Sequence, residues 1–147
     1  MPAVSDEHTW ITGYLITLFT CYVSFHDAGK IGHEPYQMKL SSTGPGRQPD
    51  IFFVKKKNLK RLKPMYCAGP ADLVVEVISK GNTKIEMENK LTEYFERGVA
   101  LVWYIYPLTK SAIAYTSPSD FEHIDASGTL HGGQVLPGFE LKLDKLF

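Results

Sequence analysis

Cysteine is scarce in this chain: Cys21 and Cys67 are the only two, widely separated and without a CxxC or zinc-type spacing. That excludes a disulfide scaffold and predicts free thiols in a reducing cytoplasm. Net charge is also lacking, since 16 Lys and Arg balance 16 Asp and Glu, so no global basic field announces nucleic acid. No basic n-region stands at Met1–Thr9, which speaks against a signal peptide. Thr9–Phe25 carries no charge, yet it is shorter than the roughly 20 apolar residues a membrane span needs and includes several threonines. Its apolar residues Ile11, Tyr14, Leu15, Leu18, Phe19, Tyr22 and Val23 recur at helical spacing and predict the core-facing stripe of a soluble helix. The histidines His8, His26, His33, His123 and His131 show no paired ligand spacing, which argues against zinc. Repeats and low-complexity linkers are absent. A length of 147 residues with 44% hydrophobic content predicts one domain over residues 1–147.

What is present centres on Ala71–Ser79, ADLVVEVIS. A run this rich in valine and isoleucine predicts a buried strand, apolar on both faces. Glu76 stands inside it. A desolvated carboxylate without a partner costs several kcal/mol, so its natural companions are a metal ion or a buried lysine. Upstream, Arg47–Val54 reads RQPDIFFV. There Asp50 opens the apolar run Ile51–Val54, and Pro49 suits the first position of a strand. Thr83 and Glu86 have capping-box spacing; Met87, Leu91, Tyr94 and Phe95 form one stripe; and Gly98 supplies a helix stop. Lys90, beside that stripe, is placed to face the strand ends.

The predicted order is a helix at Asp6–Phe25, a hairpin of Gly32–Ser41 with Gln48–Val54, and a basic loop. The Ala71–Ser79 strand, the Thr83–Arg97 helix and the Ala100–Tyr106 strand follow, then strands near Ser111–Thr116, Phe121–Asp125 and Glu140–Leu143. The strand–helix–strand unit implies a parallel crossover and the hairpins antiparallel neighbours. The fold class is α/β, a mixed central β-sheet flanked by helices. Between Ile51 and Ala71 the residues Lys55, Lys56, Lys57, Lys60, Arg61 and Lys63 form an unopposed basic cluster, either a phosphate-contacting patch or a solvated loop.

Asp50, Glu76 and Lys90, in the order PD…VEV…K, resemble the PD-(D/E)XK nuclease superfamily. More narrowly, the chain resembles its bacterial restriction endonuclease branch of unknown substrate, the Uma-two family. The motifs carrying the likeness are Arg47–Val54, Pro70–Ser79, Lys90–Val99, Val102–Pro107 and the closing LPGFELKLDKLF. The resemblance implies a restriction endonuclease-like core and a magnesium- or manganese-dependent deoxyribonuclease acting on DNA. Asp50 and Glu76 would be metal ligands, with the Val77 carbonyl as a further one. The superfamily's lysine two residues after the acid is here Ile78, and Lys90 would replace it from the helix. The loop Ser79-Lys80-Gly81-Asn82 departs from the branch's Ser-Pro-Ser-Thr, as do Glu86 and Tyr106, where acids of that branch differ or are lost. Members of the branch usually carry a further glutamate-bearing segment ahead of the point where this chain starts.

Plainer roles stand beside these. Asp50 could cap a turn, Glu76 and Lys90 could form a structural bridge, and Lys90 could pair only with Glu86. Asp72 suits a surface acid at the strand mouth, Glu34 and Gln37 suit structural positions, and Trp103 suits core packing. The reading is therefore a DNA endonuclease with Asp50, Glu76 and Lys90 catalytic, or a catalytically inactive nuclease-fold binding module. A homodimer is an open option.

Overall fold

Valine- and isoleucine-rich segments form the centre of the sheet. In the computed structural model, which describes residues 6–40 and 46–147, the order begins with α1 (Asp6–His26), β1 (Gly29–His33), β2 (Gln37–Lys39) and β3 (Ile51–Lys55). A 3-10 helix (Lys56–Arg61), β4 (Leu62–Lys63), β5 (Tyr66–Ala68), β6 (Leu73–Val77) and α2 (Lys84–Glu96) come next. The chain closes with β7 (Leu101–Tyr106), β8 (Ser111–Tyr115), β9 (Phe121–Ile124), β10 (Thr129–His131), β11 (Glu140–Lys142) and a 3-10 turn (Leu143–Leu146).

The main sheet has the order β1-β3-β6-β7-β8-β9. Only β6 and β7 run parallel in it, joined by α2, and the other pairs are antiparallel. This is the predicted mixed sheet. β6 is buried at every position, as a central strand covered on both faces must be. Alternation sorts its side chains: Leu73, Val75 and Val77 join the layer under α1 with Ile51, Phe53, Leu101, Trp103 and Ile105. Val74 joins Phe52, Val54, Val102 and Tyr104 against Met87, Leu91 and Tyr94 of α2. By the same period of two, Glu76 faces α2.

α2 starts and stops where local chemistry says it must. The Thr83 hydroxyl accepts from the Glu86 N–H at 3.1 Å, a cap that contributes about 1 kcal/mol. Gly98 then turns the chain out at φ +108°, a conformation costly for any residue with a Cβ.

Three expectations need correction. Tyr14, expected in the core-facing stripe of the first helix, is instead exposed on its outer side, while Ile11, Leu15 and Phe19 are buried. Gly32–Ser41 is not one strand of a hairpin: β1 pairs with β3, but a turn with Tyr36 N–H donating to the His33 carbonyl intervenes. β2 then leaves to pair with β5. The Tyr36 hydroxyl pins that departure, lying 2.5 Å from the Lys63 carbonyl and 2.7 Å from the Tyr66 carbonyl and sharing its one proton between them. Ser41 itself lies outside the described residues. Nor is the basic segment a loop: it is the 3-10 helix followed by the β4–β5 hairpin. Strands of two or three residues and a helix that buries no side chain leave no hydrophobic period to read.

Candidate active site

β3 and β6 pair with Ile51 opposite Val75. One step further, Asp50 meets Glu76, and alternation points both toward α2. The Asp50 N–H donates to Glu76 Oε1 at 3.3 Å, and the Val77 N–H donates to Asp50 Oδ2 at 2.7 Å. Lys90, two turns into α2, sends its Nζ to Glu76 Oε2 at 2.7 Å. The buried Tyr94 hydroxyl, one turn on, donates to Glu76 Oε1 at 3.4 Å. The side chains of Lys90 and Glu76 are only 16% and 8% exposed, so this pair sits where Coulomb attraction is weakly screened.

Burial pushes the Glu76 carboxyl above its ordinary range; the Asp50 charge adds to that, while the Lys90 ammonium opposes it. Tyr94 is pushed up by its own burial first and then by the Glu76 charge, so it stays a neutral donor. The site thus holds two like charges side by side and one cation.

The structure brings Asp50, Glu76, Val77 and Lys90 to one cleft of about 640 Å³, which Glu7, His8 and Glu34 also line. His8, which the sequence marks with no ligand spacing, has its Nε2 at 3.3 Å from Asp50 Oδ1. Glu7 and His8 arrive from the first turn of α1, whose docking across the sheet leaves no trace in local sequence. Tyr94 joins the apolar stripe as expected, and its hydroxyl bond to Glu76 is an addition. Lys90 is not tied to Glu86 as its i+4 partner; it reaches Glu76 instead.

The basic cluster is elsewhere. None of Lys55, Lys56, Lys57, Lys60, Arg61 and Lys63 lines this cleft; they follow the far end of β3, about 17 Å along a five-residue strand. Lys56 pairs with Asp27 and Arg61 donates to the Pro70 carbonyl at 2.9 Å. Lys63 borders a separate cleft of about 630 Å³ with Lys30, Tyr36, Phe52 and Met65. Asp72 is no free surface acid, since it accepts from the Lys55 N–H at 2.7 Å and from Asn58 Nδ2 at 3.0 Å.

Among the described residues no group of three or more His, Cys, Asp or Glu side chains is placed to hold a metal ion. The donors in the cleft are the two carboxylates of Asp50 and Glu76. Magnesium is commonly held by one or two carboxylates, with water and phosphate in the other positions. A cation would also relieve the repulsion that Asp50 imposes on Glu76, so the donor set fits such an ion. Among the described residues no helix is long and apolar enough to cross a membrane, and Cys21 and Cys67 are both free thiols.

The Uma2 family model, described as "Putative restriction endonuclease", matches residues 1–144. No curated protein matches the chain. Among solved structures the chain is similar to one titled a "putative nuclease belonging to DUF820" from Anabaena variabilis, with 14% identity and a TM-score of 0.83. The similarity covers 99% of this chain and 83% of that one, and at that identity it shows a shared fold.

Proposed function

The chain belongs to the Uma2 family, and from that premise we propose that it is a divalent-metal-dependent endonuclease hydrolysing DNA phosphodiester bonds. The observation that carries the reading is the meeting of Asp50 just ahead of β3, Glu76 of β6 and Lys90 of α2 in one cleft. Asp50, Glu76 and the Val77 carbonyl would hold magnesium or manganese. Such an ion supplies activation of water and charge neutralisation at phosphorus.

The protein's own groups do the rest. The Val77 N–H fixes one Asp50 oxygen and His8 approaches the other, so the carboxylate is held in one rotamer. Lys90 and Tyr94 hold the two oxygens of Glu76 in the same way. Such preorganisation spares the site the cost of reorienting dipoles during the reaction. The Lys90 ammonium would orient a water and offset negative charge growing on the phosphoryl oxygens. The basic cluster would meet phosphates about five base steps away along a duplex.

An inactive binding module is the second reading, favoured by one observation: Lys90 is already engaged by Glu76. Plasmid nicking in magnesium or manganese decides between them. Nicking that depends on metal and disappears in Asp50→Ala supports the endonuclease; a wild-type chain that binds DNA but never nicks with either ion supports the module.

A further inference from the structure

α1 is apolar on two sides. Its inner face buries Ile11, Leu15 and Phe19. Its outer face carries Trp10, Tyr14, Thr17, Cys21 and Phe25, which fall within about 80° of arc at 3.6 residues per turn. Trp10 is 75% exposed, Tyr14 39% and Phe25 85%, and Cys21 is exposed beside them. No Asp, Glu, Lys or Arg occurs from Thr9 to Phe25. Aromatic exposure this concentrated marks an interaction surface.

We propose that a second copy of the chain covers this stripe, α1 packing antiparallel on α1 about a two-fold axis between Thr17 and Leu18. An isologous contact must be self-complementary, and this stripe is. In that register Trp10 meets the partner's Phe25, while the bulky Tyr14 meets the partner's small Cys21. Thr17 lies at the crossing, where a short side chain lets the helices approach. The stripe is uncharged, so two copies meet without like-charge repulsion.

The area is adequate. Aromatic side chains bury 150–250 Å² each, so at these exposures the three contribute about 400 Å² per protomer. The pair reaches about 800 Å² before Thr17, Leu18 and Cys21 are included, against the roughly 1,000 Å² a specific interface needs. The first turn of the same helix carries Glu7 and His8, which line the cleft. The interface stands independently of any cleavage chemistry.

The test is solution mass by light scattering on the full chain across the micromolar range. The wild type is expected at twice its 16.5 kDa chain mass. Trp10→Glu and, separately, Phe25→Glu are expected at the chain mass with unchanged circular dichroism. Mild oxidation then reads the register. Tyr14→Cys should form an intermolecular disulfide with the partner's Cys21, while the wild type forms none; the other thiol, Cys67, is buried. A monomeric wild type overturns the proposal, as does a dimer that both glutamate variants leave intact. A disulfide between two Cys21 residues in the wild type would show parallel packing and overturn it too, as would Tyr14→Cys that stays uncrosslinked.

Discussion

The two ends of β3 carry charge in opposite settings. At one end Asp50 enters a network with Glu76, Lys90, Val77 and His8. At the other, the chain runs into Lys55–Lys63, where the pair of Lys56 with Asp27 has its side chains 65% and 80% exposed. An ion pair so exposed is worth roughly 0–1 kcal/mol, and salt screens it. Truncating one partner of a buried pair costs roughly 3–5 kcal/mol, because the other charge is left behind. Charge at the first end is thus fixed in direction and strong; at the second it is diffuse and adjustable. The first suits chemistry at one atom and the second suits sequence-independent attraction.

Asp50→Ala should break the comparison most severely. Nicking should fall by on the order of a thousandfold or more, the several kcal/mol of barrier a lost metal site represents. Magnesium or manganese should raise the melting temperature of the wild type and leave that of the variant unchanged. Retention of that rise in the variant would remove Asp50 from the ligand set.

Lys90→Met is next, with an expected loss of nicking of about a hundredfold and a stability cost of roughly 3–5 kcal/mol at neutral pH. The pH dependence identifies the cause. Glu76 already titrates above its ordinary range, so the folded state binds its proton more tightly than the unfolded chain does. Its favourable contribution is complete below the unfolded value, about 4.5, and is lost as pH rises through the raised folded value. Without Lys90 that value climbs further. The stability deficit of the variant should therefore be small in acid and grow as pH rises. Denaturation series at several pH values would show this, and a deficit independent of pH would mean that Lys90 acts through packing alone.

Replacing Lys55, Lys56, Lys57, Lys60, Arg61 and Lys63 by glutamine should sharpen the comparison from the other side. Every phosphate that the variant no longer neutralises should flatten the slope of log affinity against log salt by about 0.9 on duplex DNA, with the fold and the metal response unchanged. An unaltered slope in anisotropy titrations would make the segment a solvated surface and nothing more.

The smallest effect is expected from Thr83→Ala, which removes the cap of the helix carrying Lys90. A cost of about 1 kcal/mol in chemical denaturation should come with only a modest change in nicking, since Lys90 lies two turns from the cap and its stripe is held by Met87, Leu91 and Tyr94.

Much of the cleft was legible because its residues sit on strongly patterned segments. The apolar run around Glu76 marks a central strand, and the capping spacing sets the phase of α2 and so the direction of Lys90. The small β2-β5-β4 sheet escaped because its strands are too short for a period to form. Glu7 and His8 escaped for a different reason: nothing near His8 distinguishes a residue aimed at Asp50 from one aimed at solvent.

The sequence by itself therefore determined which segments are central strands, which residues of a strand share a face, and where α2 begins and ends, because these follow from interactions between near neighbours. Only the tertiary structure decided that Ile51 pairs with Val75 and so brings Asp50 beside Glu76, an approach spanning 26 residues. It likewise decided that the first turn of α1 overhangs the cleft and that its aromatic stripe faces outward. Those arrangements depend on how separately formed elements pack, and side-chain periodicity within one element carries no information about which distant element it will meet.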